Sequence, residues 1–204
     1  MHIILDYSAS MDFGKPIKKF DYACMLGVGF AYLAMKDNER FQFSTFSDEL
    51  NVFKSSRGKS QLVIMIDHLN NLKIKGKSNL KDAIYQYKRF IDSKSVIIII
   101  SDFLIDIKDI EDSLYFLGDH EIKVIQVLHP VERNLNLVGD FNLKDSETGE
   151  KLRTYISPRL KQYYQKLLEE HIAKIEEICN KLKINFYSLT TDTPIFDAFY
   201  SILS

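Results

Sequence analysis

The chain has 204 residues, of which 46% are hydrophobic and 27% are charged, as expected for one globular α/β domain of ordinary size. Its 27 basic and 28 acidic side chains give a formal net charge of -1, so no overall field attracts nucleic acid or an anionic membrane. The sequence contains no recognisable signal peptide and no apolar stretch long enough to span a bilayer. We therefore expect neither nucleic acid nor a membrane to contact this domain.

Strands and helices alternate along the chain. An apolar run ends at Asp6, and the helix that Pro16 opens contains Gly27 and Gly29, which predict close packing against a sheet. Later strands are predicted at residues 40–46, 50–53, 95–101, 122–128 and 185–189. Later helices are predicted at residues 61–72, 79–90, 106–117, 158–183 and 193–203. Residues 131–156 lack a helical period and contain turn signals, which predicts a β-hairpin excursion.

This alternation predicts an α/β fold with a doubly wound, mostly parallel six-stranded sheet and helices on both faces. The strand at residues 50–53 follows a tight turn, so we expect it to be an antiparallel edge strand. All 204 residues then form a single domain that carries the added hairpin at about 131–156. In such sheets, ligands bind beyond the carboxyl ends of the strands, where the strand order reverses.

The two cysteines, Cys24 and Cys179, both fall within predicted helices. Buried free thiols are the simplest interpretation, and they fit a reducing compartment, so we expect a cytoplasmic location. The chain begins almost on its first strand. We therefore expect it to be either a domain of a longer protein or a minimal version of one.

Oxygen-bearing side chains follow two of the predicted strands. Asp6, Ser8 and Ser10 stand at alternate positions where the first strand ends, and Asp102 follows the apolar run at residues 95–101. Carboxylate and hydroxyl oxygens suit a hard divalent cation, Mg²⁺ before Ca²⁺ or Mn²⁺. If the two strands are neighbours, we expect both carboxylates at the ligand-binding edge of the sheet. The alternative for the first segment alone is a polar turn whose side chains cap the next helix.

With Ser78 from a later loop, these residues resemble the metal-ion-dependent adhesion site (MIDAS) of von Willebrand factor A (vWA) domains. That pattern is Asp-x-Ser-x-Ser, then a threonine on a second loop and an aspartate after a later strand. The resemblance implies that hydroxyls contact the ion, that Asp6 and Asp102 act mainly through water, and that a partner's carboxylate fills the open position. Ser78 stands at the threonine position without the methyl group that restrains the hydroxyl, so we expect a weaker site.

Further segments narrow the resemblance to the vWA domain of the bacterial domain-of-unknown-function 58 (DUF58) family, over essentially the whole chain. They lie at residues 5–11, 19–23, 101–104, 129–132, 145–150 and 190–192. Members commonly carry membrane helices and are associated with MoxR-type AAA+ ATPases. The resemblance therefore implies a MoxR-type partner and tethering to the membrane by segments absent from this chain.

The prediction is thus a noncatalytic protein-binding module with a MIDAS-type site, and two other functions stay open. A phosphatase of the haloacid dehalogenase type also has an aspartate after its first strand and binds Mg²⁺. It requires a second aspartate two residues on, where this chain has Ser8. A structural module with a vestigial metal site would bind its partner without metal. Asp192, near the end of the chain, is predicted to cap the last helix.

Overall fold

The computed structural model describes residues 1–135, 139–144 and 151–204. The strands are β1 His2–Asp6, β2 Gln42–Phe46, β3 Leu50–Val52, β4 Val96–Ser101, β5 Glu121–Leu128, β6 Gly139–Lys144, β7 Lys151–Ile156 and β8 Asn185–Thr190. The helices are α1 Lys19–Lys36, α2 Lys59–Asn71, α3 Leu80–Tyr87, α4 Ile107–Leu117, α5 Pro130–Asn134, α6 Pro158–Lys181 and α7 Ile195–Leu203. No helix in these ranges is long and apolar enough to cross a membrane.

The main sheet has six strands in the order β3-β2-β1-β4-β5-β8. Only β3 is antiparallel to its neighbour, so the predicted antiparallel edge strand is confirmed. Leu5 in β1 pairs with Thr45 on one side and with Ile100 on the other. The chain runs outward from β1 to β3 and then returns to β4, so the strand order reverses between β1 and β4. That is where this class of sheet binds its ligands.

Helices cover both faces of the sheet because alternate side chains of each strand point in opposite directions. Ile3 and Leu5 pack on the side of α1, α2 and α7, whereas Ile4 packs on the side of α3, α4 and α6. The apolar side chains of β4 divide between the two faces in the same way. This two-sided burial explains the continuous apolar sequence of β4 and confirms the doubly wound architecture.

The two glycines of α1 make room for different neighbours. A Cβ atom on Gly27 would lie 3.1 Å from Cδ1 of Leu5, so Gly27 packs against the sheet as predicted. A Cβ atom on Gly29 would lie 2.2 Å from Cζ of Phe199. The lack of a side chain at Gly29 therefore allows α7, rather than the sheet, to pack closely on α1. The prediction was wrong for this residue.

The start of α1 and the cap of α7 also differ from expectation. Pro16 follows a cis peptide bond in the loop, and α1 begins only at Lys19, whose amide donates to the Phe13 carbonyl at 3.0 Å. Pro194 is the N-cap of α7 and supplies no side-chain cap. Asp192 instead accepts a hydrogen bond from Thr190 Oγ1, so the capping role predicted for it was wrong.

The segment predicted as a hairpin excursion begins with the short helix α5. β6 and β7 then pair antiparallel and form a separate two-stranded sheet. Residues 145–150, which carry part of the resemblance to the DUF58 family, lie outside the described residues. Both cysteines are unpaired, Cys24 in α1 and Cys179 in α6.

Candidate metal centre

Asp6 is the last residue of β1, and its buried carboxylate joins three segments of the chain. Oδ1 accepts a hydrogen bond from the Ser8 amide at 2.8 Å, which closes the turn after the strand. Oδ2 accepts from the hydroxyls of Ser78 and Ser101, each at 2.6 Å. Asp6 thus organises the carboxyl ends of β1 and β4 and the loop before α3.

Ser8 and Ser10 bring two more hydroxyls to this edge. Ser8 is fully buried, Ser10 is half-buried, and their Oγ atoms lie 3.1 Å apart. They belong to the tight 3₁₀ turn that follows β1, with Ser8 as its first flanking residue. The alternate spacing seen in the sequence therefore places both hydroxyls together, in the turn that Asp6 holds through the Ser8 amide.

Backbone hydrogen bonds hold the loop that carries Ser78 against the turn after β1. The amide of Lys75 donates to the Tyr7 carbonyl at 3.1 Å, and the amide of Ala9 donates to the Gly76 carbonyl at 2.9 Å. Asn79 caps α3, because its side chain accepts a hydrogen bond from the amide of Asp82. These bonds fix the backbone on both sides of Ser78, so its hydroxyl reaches Asp6 although the usual threonine is absent.

Asp102 follows β4 and is engaged by a cation of the protein itself. Its Oδ2 accepts from the Lys19 ammonium at 2.8 Å, and its Oδ1 accepts from the Leu104 amide at 3.2 Å. The same ammonium donates to Glu132 at 2.7 Å. Lys19 and Asp102 are almost fully buried, whereas Glu132 is partly exposed, so the ion network of one lysine and two carboxylates reaches solvent only through Glu132.

Lys19, Glu132 and Ser101 also belong to this site, although they are not among the site residues predicted from the sequence. Lys19 and Glu132 lie in the segments 19–23 and 129–132, which carry part of the family resemblance. Ser101 is the last residue of β4 and points to the same side as Asp6. The signal that could have found it is its position directly before Asp102.

Burial and neighbouring charges shift the pKa values of Asp6 and Lys19. Burial, and after it the charge of Asp102, raise the pKa of Asp6 from 3.8 to about 6, although hydrogen bonds from Ser101, Ser78 and Ser8 oppose the shift. Burial alone would lower the pKa of Lys19, but Asp102 and Glu132 outweigh it and raise the pKa, so Lys19 is charged. The charged Lys19 contacts two carboxylates, those of Asp102 and Glu132.

The donor set is compatible with Mg²⁺. In the described part of the chain, no cationic side chain contacts Asp6, whose hydrogen-bond donors are hydroxyls and one amide. No group of three or more His, Cys, Asp or Glu side chains within the described ranges is placed to hold a metal ion. A metal ion at this edge would therefore depend on the serine hydroxyls, which are ligands suited to a hard cation. Metal binding by these residues stays a prediction.

Comparison with known proteins agrees with this architecture. Residues 1–174 match the family described as "Protein of unknown function DUF58". The search of curated proteins gives no match. Among solved structures, BatB from Bacteroides thetaiotaomicron has a TM-score of 0.59 at 14% identity, over 99% of this chain and 95% of that chain.

Two further structures are similar to the same extent. An aerotolerance-related membrane protein from Bacteroides fragilis has a TM-score of 0.60 at 16% identity, over 99% of this chain and 95% of its own. The SpRpn10 VWA domain has a TM-score of 0.60 at 13% identity, over 98% of this chain and 93% of its own. At these identities, the likeness concerns the fold alone. The chain therefore belongs to the DUF58 family, and its fold is that of a vWA domain.

Proposed function

We propose that the chain is a noncatalytic protein-binding module whose site holds Mg²⁺, or Mn²⁺ or Ca²⁺ in its place. Asp6, Ser8, Ser10, Ser78 and Asp102 would hold the ion. The observation that supports this most strongly is that Asp6 accepts hydrogen bonds from the hydroxyls of Ser78 and Ser101 and from the amide of Ser8, whose hydroxyl lies 3.1 Å from that of Ser10. When bound, the ion supplies an open coordination position that accepts a carboxylate of a partner protein.

The protein residues have distinct roles in this proposal. Ser8, Ser10 and Ser78 supply hydroxyl oxygens, and Asp6 orients Ser78 through the bond at 2.6 Å. Lys19 forms an ion pair with Asp102, so Asp102 would contact the metal ion through water rather than as a direct ligand. The partner class that the family resemblance implies is a MoxR-type AAA+ ATPase.

A structural module with a vestigial site is the second candidate, because a specific observation favours it. Lys19 already neutralises Asp102, and hydrogen bonds from Ser78 and Ser101 already engage Asp6. These contacts hold the edge together without any metal ion. That candidate predicts partner binding that a chelator leaves unchanged.

We propose no catalytic role, since Ser8 stands where a phosphatase of the haloacid dehalogenase type requires its second aspartate. Turnover of p-nitrophenyl phosphate with Mg²⁺, abolished by Asp6→Asn, would overturn this part of the proposal.

The metal site is tested by thermal and urea unfolding during a Mg²⁺ titration. At a free Mg²⁺ concentration about 100 times the dissociation constant, we expect the free energy of unfolding of the wild type to rise by about 2.7 kcal/mol. The Ser8→Ala/Ser10→Ala variant should lose this gain, because two ligand oxygens are removed. A matched control, Ser60→Ala/Ser93→Ala, removes two exposed hydroxyls far from the site and should keep it.

Binding to the MoxR-type ATPase of the same genome, measured with Mg²⁺ and with EDTA, tests the partner. Binding that requires Mg²⁺ and fails in Ser8→Ala/Ser10→Ala supports the proposal. Equal binding with EDTA would favour the vestigial site instead.

A further inference from the structure

A polar cavity of about 360 Å³ opens beside the candidate metal centre, between β3, the end of α2 and the loop that follows α2. We call it the lysine alcove. The side chains that matter for its chemistry are those of Tyr7, Glu49, Asn51, His68, Lys73 and Lys75. None of them belongs to the set proposed to hold the metal ion.

The charge of the lysine alcove favours an anion. Lys73 and Lys75 are exposed and occupy alternate positions, with Ile74 directed inward between them. Within the described residues, neither ammonium group forms an ion pair. Glu49 is the one acidic side chain that lines the cavity. Two cations thus face one anion, and the excess positive charge has no partner in the described part of the protein.

The floor of the cavity carries a buried hydrogen-bond donor. Tyr7 is 1% exposed, and its hydroxyl accepts a long hydrogen bond from the Asn51 amide at 3.4 Å. No acceptor for the hydroxyl proton of Tyr7 occurs among the described residues, so this proton is available to a bound group. A carboxylate, which only accepts hydrogen bonds when ionised, matches such a floor.

The lysine alcove and the metal centre are joined through the backbone. The amide of Lys75 donates to the carbonyl of Tyr7, the residue that follows Asp6. Ser78 follows Lys75 by three positions, so their Cα atoms lie at most about 11 Å apart. An extended peptide covers that distance in about three residues. One short segment of a partner can therefore reach both places.

We propose that the lysine alcove binds a second Asp or Glu of the partner segment whose first acidic residue enters the metal centre. This inference rests on the proposed function and specifies its partner. The recognised segment carries two carboxylates about three positions apart in an extended conformation.

The test uses two fluorescein-labelled peptides and measures their anisotropy with Mg²⁺. Gly-Gly-Asp-Gly-Gly-Gly-Gly-Gly carries one carboxylate side chain, and Gly-Gly-Asp-Gly-Gly-Asp-Gly-Gly carries a second one three positions on. We expect the second peptide to bind the wild type about three- to tenfold more tightly, as exposed charge pairs allow. Lys73→Glu/Lys75→Glu should abolish that gain without weakening the first peptide by a similar factor. Lys36→Glu/Lys94→Glu makes the same charge change at exposed lysines elsewhere and should keep the gain.

The outcomes separate this inference from the proposed function. Mg²⁺-dependent binding of both peptides with equal affinity would overturn the lysine alcove and leave the metal site standing. If the second peptide binds more tightly than the first in EDTA as well, and this difference requires Lys73 and Lys75, the lysine alcove is supported and the metal function is overturned. Tighter binding of oligothymidylate than of the second peptide, lost in Lys73→Glu/Lys75→Glu, would overturn the assignment to an acidic peptide. The absence of binding by either peptide would overturn both.

Discussion

Asp6 and Asp102 are both buried at the same edge of the sheet, yet their surroundings are opposite. Asp102 contacts the ammonium of Lys19 at 2.8 Å, whereas Asp6 contacts neutral donors of Ser8, Ser78 and Ser101. Burial of an ionised carboxylate is costly, and a buried counter-ion offsets much of that cost as long as it is present. We infer that Asp102 mainly maintains the fold, and that Asp6 is the carboxylate suited to an added cation.

Removal of the buried counter-ion should have the largest effect. Lys19→Met would leave Asp102 and Glu132 without their cation, so we expect the free energy of unfolding at pH 7 to fall by about 3–5 kcal/mol. Urea unfolding measures this change. The neighbouring Lys18 pairs with Asp12 on the surface, and Lys18→Met should change little because solvent screens that pair. Equal urea midpoints for the two variants would contradict the structural role of Lys19.

Removal of the Asp6 charge should increase the free energy of unfolding when no metal is present, in contrast to the decrease expected for Lys19→Met. The folded-state pKa of about 6 lies above the ordinary 3.8, so the contribution of Asp6 to stability is present below pH 4 and is lost as the pH rises through 6. In EDTA, we expect Asp6→Asn to gain up to roughly 3 kcal/mol relative to the wild type by pH 7, less the cost of rearranged hydroxyls. Urea unfolding of both proteins between pH 4 and 8 measures the difference.

Urea unfolding of both proteins with Mg²⁺ tests whether the charge of Asp6 is needed for metal binding. Because a proton on Asp6 competes with the cation, stabilisation of the wild type by Mg²⁺ should grow as the pH rises through 6. Asp6→Asn should show no such stabilisation. If stabilisation of the wild type by Mg²⁺ does not change between pH 4 and 8, Asp6 is ionised over that whole range.

Glu132→Gln should have an intermediate effect, because Lys19 would keep Asp102 as its partner. Glu132 is 18% exposed, so solvent compensates part of the loss. We expect a decrease of about 1–2 kcal/mol in the free energy of unfolding. A decrease as large as that of Lys19→Met would mean that Glu132, rather than Asp102, is the essential partner of the lysine.

Ser78→Thr should have the smallest effect. The added methyl group restrains the hydroxyl that now donates to Asp6 at 2.6 Å, so less rotational freedom is lost on metal binding. Because this saving is a few tenths of a kcal/mol, we expect Mg²⁺ to bind roughly two- to threefold more tightly, as measured by isothermal titration calorimetry. Weaker binding would mean that the methyl group clashes with the turn after β1.

Part of the candidate site could be predicted because its geometry is local. Ser8 and Ser10 follow Asp6 within one tight turn, so their proximity depends on few residues. The position of Asp102 followed from the rule that parallel strands deliver their ends to one edge. The partners of Asp102 could not be predicted in this way, since Lys19 and Glu132 lie 83 and 30 positions from it in the sequence.

Three properties follow from the amino-acid sequence alone: the alternation of strands and helices, the two-sided burial of β4 and the oxygen-bearing residues at the strand ends. These properties depend on periodicity and on neighbours within a few positions. The fold, in contrast, is what pairs Lys19 with Asp102, gives Asp6 no cationic contact among the described residues, and places Lys73 and Lys75 at a cavity that Tyr7 also lines. Charge pairing acts over a few ångströms, and the fold sets those distances between residues far apart in the chain.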